Sequence, residues 1–454
     1  MLRISGEMLR YITDPPCTLQ PLRIYGGFFM SFVNGQNYIC IDLKSFYASV
    51  ECVERGLDPL KAKLVVADPD RGDGTICLAV SPALKAMGVG GRCRVYEIPK
   101  GIDYIKAKPR MQLYIDYSAR IYEIYLRYIS KDDIHVYSVD EAFFDLTPYL
   151  TLYSAGAGDI ARMLTAAVLE ETGITAVCGM GTNLYLAKVA MDIIAKHSPG
   201  FFSFLDETLY RKKLWDHRPL SDFWRIGKRT RKRLEKNGML TMRHIAMADE
   251  DMLFRLFGID AELLIDHAWG RESTTMADIK KYRPGSKSLS SGQVLFRDYS
   301  YDKARLILKE MIDGLCLEMS AAHLVTDSVT FYVMYTYTAG IPACGTTVRL
   351  PVKSASHRII IPAVIKAYNA LIDRRIPVRR ISVAFNDVEP DTCDRQLTLF
   401  DAARNNISDK DSRTQQMVLS LRSRYGKNAV FRGIDLEDCA TTLERNMQIG
   451  GHRK

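Results

Sequence analysis

Three acidic residues in two short apolar stretches define the chemistry this chain is equipped for. Ile134 to Asp145 reads IHVYSVDEAFFD, with Asp140 and Glu141 adjacent at its centre. Val136, Val139, Phe143 and Phe144 around them are strand formers. Neighbouring residues of a strand point to opposite faces, so an adjacent acid pair converges only at a turn. A β-hairpin with Ser138–Glu141 near its tip would supply that turn. Carboxylates between apolar strands are costly to bury unless a cation or hydrogen bonds compensate them. A hard divalent ion such as Mg2+ prefers oxygen ligands and is the natural partner. For an isolated pair, a solvated turn is the bland alternative. The second stretch, Tyr38 to Tyr47, reads YICIDLKSFY. Ile39 and Ile41 flank Cys40 in a short apolar strand, and Asp42 stands where it ends. One acid at a strand end and two on a hairpin would make a three-carboxylate site. Two-metal phosphoryl transfer needs such a cluster, with one ion at the attacking oxygen and one at the leaving oxygen.

The elements that must position these acids follow from pattern. Lys44 to Val50 reads as the start of a helix carrying Phe46 and Tyr47. Lys63 to Ala67 and Thr75 to Val80 read as strands around the turn-rich DPDRGDG, and Ser81 to Met87 as a short helix ended by Gly88. Arg110 to Ile129 places Leu113, Tyr117, Ile121, Ile124 and Tyr128 at helical spacing, with the aromatics expected in the core. Beyond the hairpin come a helix over Ile160 to Glu171, a strand over Thr175 to Met180, and a turn into a helix over Gly181 to Lys196. That alternation predicts an α+β domain. Phe201 to about Thr275 is helical in pattern and basic, and Met276 to Gly285 reads as a polar linker ending in Pro284-Gly285. Strands over Lys287 to Leu295, Ser328 to Tyr337, Gly345 to Pro351 and Val378 to Val388 follow. Helices over Tyr301 to Met319 and Ile361 to Ile372 complete a separate αβ domain. After Pro390 the pattern weakens to one helical stretch, Ser412 to Tyr425, and Met1 to Gln36 shows no period.

Composition bounds the class. At 454 residues the chain is long enough for several domains, and 47% apolar with 25% charged residues is ordinary for a globular protein. A net charge of +9 fits a polyanionic partner such as nucleic acid. The ten cysteines include no CxxC pair and no export signal is evident, so reduced thiols in a cytoplasmic protein are expected. No apolar run approaches the length needed to span a bilayer, so no membrane partner is expected.

The two acidic stretches, taken together, resemble a known family. DLKSFYASVE resembles the first motif of the Y-family translesion DNA polymerases, and YSVDEAFFDLT resembles their SxDEA motif. The match is closest to the UmuC-like branch, the polymerase V catalytic-subunit type of the ImpB/MucB/SamB family, and extends from about Asn37 to Phe400. The resemblance implies a right-hand polymerase of α+β multidomain class. Residues 38–47 and 108–200 would form the catalytic palm, 48–107 small fingers, and 201–275 a helical thumb with a helix-hairpin-helix. A linker over 276–286, a little finger over 287–390 and a tail over 391–454 would follow, after an N-terminal extension 1–37. That extension is expected either from an upstream start codon or as an accessory arm.

The resemblance also implies residue roles. Asp42, Asp140 and Glu141, with the Leu43 carbonyl, would hold two Mg2+ ions, with Mn2+ as a substitute. Tyr47 would be a steric gate against the ribose 2′-hydroxyl, with Phe46 beside it at the nucleotide. Lys85 and Lys196 would meet the triphosphate. Lys196 lies closest to the family position although DIIAK is one residue longer than the common spacing; Lys188 is the neighbouring match or a structural lysine, and Arg71 a further loop cation. In LSDFWRIGKRTRKRL, Arg225, Gly227, Lys228 and Arg229 would meet DNA phosphates, with Arg231 adding charge. The usual hairpin has two glycines, and Arg225 takes the first position. QLTLF resembles the β sliding clamp motif, with Gln396, Leu397, Leu399 and Phe400 as anchors. The implied function is error-prone, template-directed DNA synthesis across lesions, in DNA repair and SOS damage tolerance. Its partners would be primer-template DNA, deoxynucleoside triphosphates, the clamp and accessory subunits. A palm-fold nucleotidyl cyclase and a catalytically silent clamp- and DNA-binding accessory are the rivals. The basic hairpin and trailing αβ domain count against the first, and the three acids against the second.

Overall fold

The computed structural model describes residues 35–284, 287–391 and 402–453. Nearly all of the expected extension 1–37, and Gln396, Leu397, Leu399 and Phe400, lie outside the described residues. The chain divides into two compact units, Met1–Tyr282 with His452–Lys454, and Arg283–Gly451.

In the first unit β1 (Tyr38–Leu43) is the middle strand of a sheet in the order β5-β6-β1-β7-β8. Its partners are β5 (Ile134–Val136), β6 (Glu141–Asp145), β7 (Ala176–Gly181) and β8 (Phe202–Leu205). Only β7 and β8 run parallel. β1 is apolar on both faces because both are covered. Tyr38, Cys40 and Phe143 pack with Leu184, Ala187 and Met191 on one side. On the other, Phe144 meets Tyr125 of the Met111–Leu126 helix edge-on. Glycines set one of these distances. A Cβ at Gly179 or Gly181 would lie 2.3 Å from backbone atoms of the 184–194 helical run, so their absence lets that run rest directly on β7.

A smaller sheet in the order β3-β2-β4 joins β2 (Leu64–Val66), β3 (Ala79–Val80) and β4 (Ile105–Ala107). The strand expected over Thr75 to Val80 is thus mostly not in the sheet. Its first half pairs instead with the segment around Arg94, through the Ile76–Arg94 bridge and the Cys77 N–H to the Cys93 carbonyl at 2.8 Å. Three of the short helices between 207 and 269 begin at side-chain caps, Asp206, Thr241 and Asp249, and the group closes over Tyr210, Phe223, Leu234 and Leu253.

The stretch 276–286 is not a linker throughout. Met276–Lys281 is a helix, opened by a Thr275–Asp278 capping box. Met276 and Ile279, one turn apart, pack with Tyr38 and Cys40, and the Lys280 ammonium donates to the Lys131 and Ile134 carbonyls. A short amphipathic turn with a good cap therefore docks where composition alone reads as polar chain.

The second unit is built on an antiparallel sheet in the order β11-β10-β12-β9, from β9 (Leu289–Tyr299), β10 (Leu324–Tyr335), β11 (Cys344–Ser354) and β12 (Val378–Asn386). Helices Tyr301–Ala321 and His357–Leu371 share its core. The second begins earlier than its proline suggests, because Ser356 caps it and Pro362 lies inside. A third helix, Ala402–Tyr425, packs on the other two. Its buried contacts are polar: Asp411 accepts from the Ser356 hydroxyl at 2.5 Å, and Gln415 from Ser320 at 2.6 Å.

Candidate active site

Strand pairing brings the three acids to one end of the sheet. Asp42 lies directly opposite Glu141 in the β1–β6 register. The Leu43 N–H donates to the Asp140 carbonyl at 2.9 Å, which draws the hairpin tip onto the end of β1. The tip turns tightly, with the Tyr137 and Ser138 N–H groups both donating to the Glu141 carbonyl. The Ser138 hydroxyl donates to Asp140 Oδ1 at 2.6 Å and fixes that carboxylate's direction. The Leu43 side chain is a buried hydrocarbon without a donor atom, so this residue offers a ligand only from its main chain.

Two lysines already serve these acids. Lys196 Nζ is 2.5 Å from Asp42, and Lys188 Nζ is 2.7 Å from Glu141. Asp192 lies between them, 2.8 Å from Lys196 and 2.9 Å from Lys188. Asp192 escapes the sequence reading; its signal is a D-x-x-x-K spacing on a helix that two glycines bring against the acid strands. The helix is α over Leu184–Val189, π over Ala190–Ile194 and 3-10 over Ala195–His197. A π turn takes in one more residue than an α turn, so the extra residue of DIIAK is absorbed and Lys196 still reaches Asp42. Cys40 adds a thiol hydrogen bond to Glu141 Oε1 at 3.2 Å.

The electrostatics are those of an acid cluster short of positive charge. Burial pushes the Asp42 carboxyl up to about 6; Lys196 opposes the rise, and Asp140 and Glu141 add to it. Burial disfavours the charge on Lys196, but Asp42 and Asp192 outweigh it and raise its pKa. Among the described residues, no three His, Cys, Asp or Glu side chains are gathered around one point as a ready metal cage. Two of the three carboxylates instead have ammonium ions as counter-cations. The donor set is nonetheless all oxygen, as a hard divalent ion requires. Its binding would exchange those ammonium contacts for metal contacts.

The residues expected at the nucleotide fall around this end of the sheet. Lys85 Nζ donates to the Ser45 hydroxyl at 2.8 Å, and burial lowers its pKa although Asp42 counters. Tyr47 is half-buried, stacked on Tyr114 with ring centroids 4.5 Å apart, while Phe46 is 2% exposed and belongs to the packing. The stack has a support that the sequence did not announce. Glu51, fully buried, accepts from Tyr114 at 2.8 Å and from Arg110 in two contacts at 2.8 and 2.9 Å. Arg71 sits on Asp68 in its own loop.

The basic hairpin keeps its backbone shape without its first glycine. Arg225 adopts a left-handed φ of 69°, the conformation a glycine would take without strain, and Gly227 caps helix Lys228–Lys236. The Arg225 guanidinium lies over the Trp224 ring, which donates to the Tyr137 hydroxyl at 3.2 Å. Arg225, Gly227, Lys228 and Arg229 are exposed. Arg231 is paired with Glu235 at 2.6 Å, so its charge is already answered.

A solved Y-family DNA polymerase chimera shares this architecture at TM-score 0.62 and 20% identity, over 78% of this chain and 99% of that one. The fold is that of a Y-family polymerase: palm, fingers, thumb and little finger. The chain belongs to the impB/mucB/samB family, whose model matches residues 41–192 and whose C-terminal domain matches residues 286–399. Among its relatives in Bacillus subtilis (strain 168), a putative UV-damage repair protein, UvrX, is 29% identical over 92% of this chain and 98% of its own. A DNA polymerase IV 2 is 29% identical over 91% and 98%, and a DNA repair protein homolog, YozK, is 39% identical over 23% and 92%.

Proposed function

We propose that this protein is a template-directed DNA polymerase of the translesion type, adding deoxynucleotides across damaged DNA in damage tolerance. The observation that carries the reading is the convergence of Asp42, Asp140 and Glu141, from strands about 100 residues apart, at one sheet end of a Y-family fold. Asp42, Asp140 and Glu141, with the Leu43 carbonyl, would hold two Mg2+ ions. When bound, these ions supply Lewis acidity at the primer 3′-hydroxyl and charge neutralisation at the departing pyrophosphate. Lys188, Lys196 and Asp192 orient the carboxylates, and Lys196 and Lys85 carry positive charge toward the phosphates. Tyr47 excludes a 2′-hydroxyl by occupying its space, on a base made firm by Tyr114 and Glu51. Arg225, Gly227, Lys228 and Arg229 grip the duplex backbone, which suits synthesis at arbitrary sequence. Gln396, Leu397, Leu399 and Phe400 bind the β sliding clamp, with accessory subunits as further partners in the cytoplasm. No helix among the described residues is long and apolar enough to cross a membrane. A nucleotidyl cyclase would have no use for the second unit or the basic hairpin.

Primer extension on undamaged and lesion-bearing templates, with and without Mg2+, tests the reading. Templated insertion that requires the ion supports it. A protein that binds primer-template but inserts nothing under either condition would be the silent accessory instead.

A further inference from the structure

We propose that Lys44 is a further binding residue for the triphosphate of the incoming nucleotide, held ready beside the acids by the ring of Phe201. The inference rests on the polymerase reading and deepens it. Lys44 follows Asp42 by two positions, and its N–H donates to the Thr175 carbonyl at 2.9 Å, continuing the extended pairing just past β1. Lys44 opens the turn that leads from the end of β1 into the helix Phe46–Val53.

The ammonium groups near Asp42 fall into two kinds. Lys196 is answered by the carboxylates of Asp42 and Asp192. Lys44 and Lys85 rest on neutral partners: Lys44 Nζ lies 3.9 Å from the centre of the Phe201 ring, and Lys85 Nζ is on the Ser45 hydroxyl. A half-buried Lys44 and an exposed Lys85, parked on uncharged groups beside a phosphoryl-transfer site, are both stabilised by a polyanion between them.

Phe201 is held for this task at a cost. It has a left-handed φ of 53°, uncommon for a large side chain, and its carbonyl accepts from the Cys178 N–H at 2.9 Å. A cation–π contact is strong enough to keep a lysine in place and weak enough to release it to a phosphate. Phe201 is therefore a positioning residue, and Lys44 the one that touches substrate.

Equilibrium binding of dATP to the full chain on a dideoxy-terminated primer-template, with Ca2+ as the divalent ion, reads this contact without turnover. Lys44→Met is expected to weaken dATP binding about tenfold or more, as loss of a charge-assisted contact does, with primer-template affinity unchanged. Lys44→Arg should restore most of the loss. Phe201→Leu, which keeps an apolar side chain but no ring, should weaken dATP binding by about twofold to threefold. Equal dATP affinity for wild type and Lys44→Met overturns the inference and leaves the polymerase reading intact. A wild-type complex that does not bind the template-matched nucleotide overturns both. A loss that Lys44→Arg does not restore, accompanied by a lower Tm, marks a packing role and also overturns it.

Discussion

Replacing Tyr47 by alanine should open the enzyme to ribonucleotides. The ring stacks on Tyr114 at 4.5 Å, and Tyr114 is fixed through its hydroxyl to Glu51, which Arg110 grips twice. Such a wall does not yield easily, so a 2′-hydroxyl meeting it is rejected by clash, without any added attraction for the deoxy sugar. Taking the ring away should shift the ratio of deoxy to ribo kcat/KM by about tenfold or more, equivalent to at least about 1.4 kcal/mol of discrimination. The substitution also removes a half-buried aromatic. About half the penalty of a fully buried one, on the order of 2 kcal/mol, should appear as lost stability. Tyr47→Phe separates these effects: it keeps the wall and should keep the discrimination. Phe46→Ala, at a buried neighbour, should lower stability without the selective gain. The assay is single-nucleotide insertion of paired dATP and ATP by each variant, with Tm measured alongside. An unchanged ratio in a Tyr47→Ala protein that still inserts dATP would refute the gate.

Asp140→Asn should abolish nucleotide insertion while leaving primer-template affinity within about twofold, since Ser138 can still hold the amide in place; insertion at the wild-type rate with Mg2+ would remove Asp140 from the site. Changing Gln396, Leu397, Leu399 and Phe400 together to alanine should leave distributive synthesis unchanged and remove stimulation by the β clamp, and equal clamp capture by both proteins would sink the motif. Burial would raise the Glu272 carboxyl, but His267 at 3.1 Å and Thr274 bring it down to about 2. A folded pKa below the unfolded one gives stability that is present above about pH 4 and lost as pH falls toward 2. Glu272→Gln should therefore lower the unfolding free energy at pH 7 by on the order of 3 kcal/mol, with the gap to wild type shrinking by about half at pH 3 in urea titrations. A gap of equal size at both pH values would contradict the assignment.

What could be read from the chain was whatever an apolar period writes into it. β1 and the acid hairpin were legible because Ile39, Ile41, Phe143 and Phe144 alternate or cluster as strands do, and acids have few reasons to stand among them. The main helices of both units followed from spacing for the same cause. The positions that escaped are held by close approach or by polar contact, neither of which has a period. Gly179 reads as part of a strand and Gly181 as part of the turn after it, yet they are what brings Lys188, Asp192 and Lys196 onto the acids. The same three charges on a helix lying farther off would be an ordinary solvated face.

The C-terminal segment makes the point most sharply. Its helix reads as a polar tail because it docks through Asp411, Gln415 and, beyond the helix, Arg432, which meets Asp313 at 2.8 Å. Glu310, 2% exposed on the first helix of the unit, accepts from the Thr441 and Thr442 N–H groups at 3.0 and 3.1 Å. A buried carboxylate is tolerable only when hydrogen bonds meet it, so these contacts form as a set or leave a costly group exposed to nothing. Apolar docking tolerates a shifted register, because one methyl group is much like another. Polar docking of this kind does not, and that fixes residues 411–442 in a single position on the second unit. The hidden code of the tail is thus in its pairing partners, some 55 to 131 residues away, and a reading based on local period has no access to it.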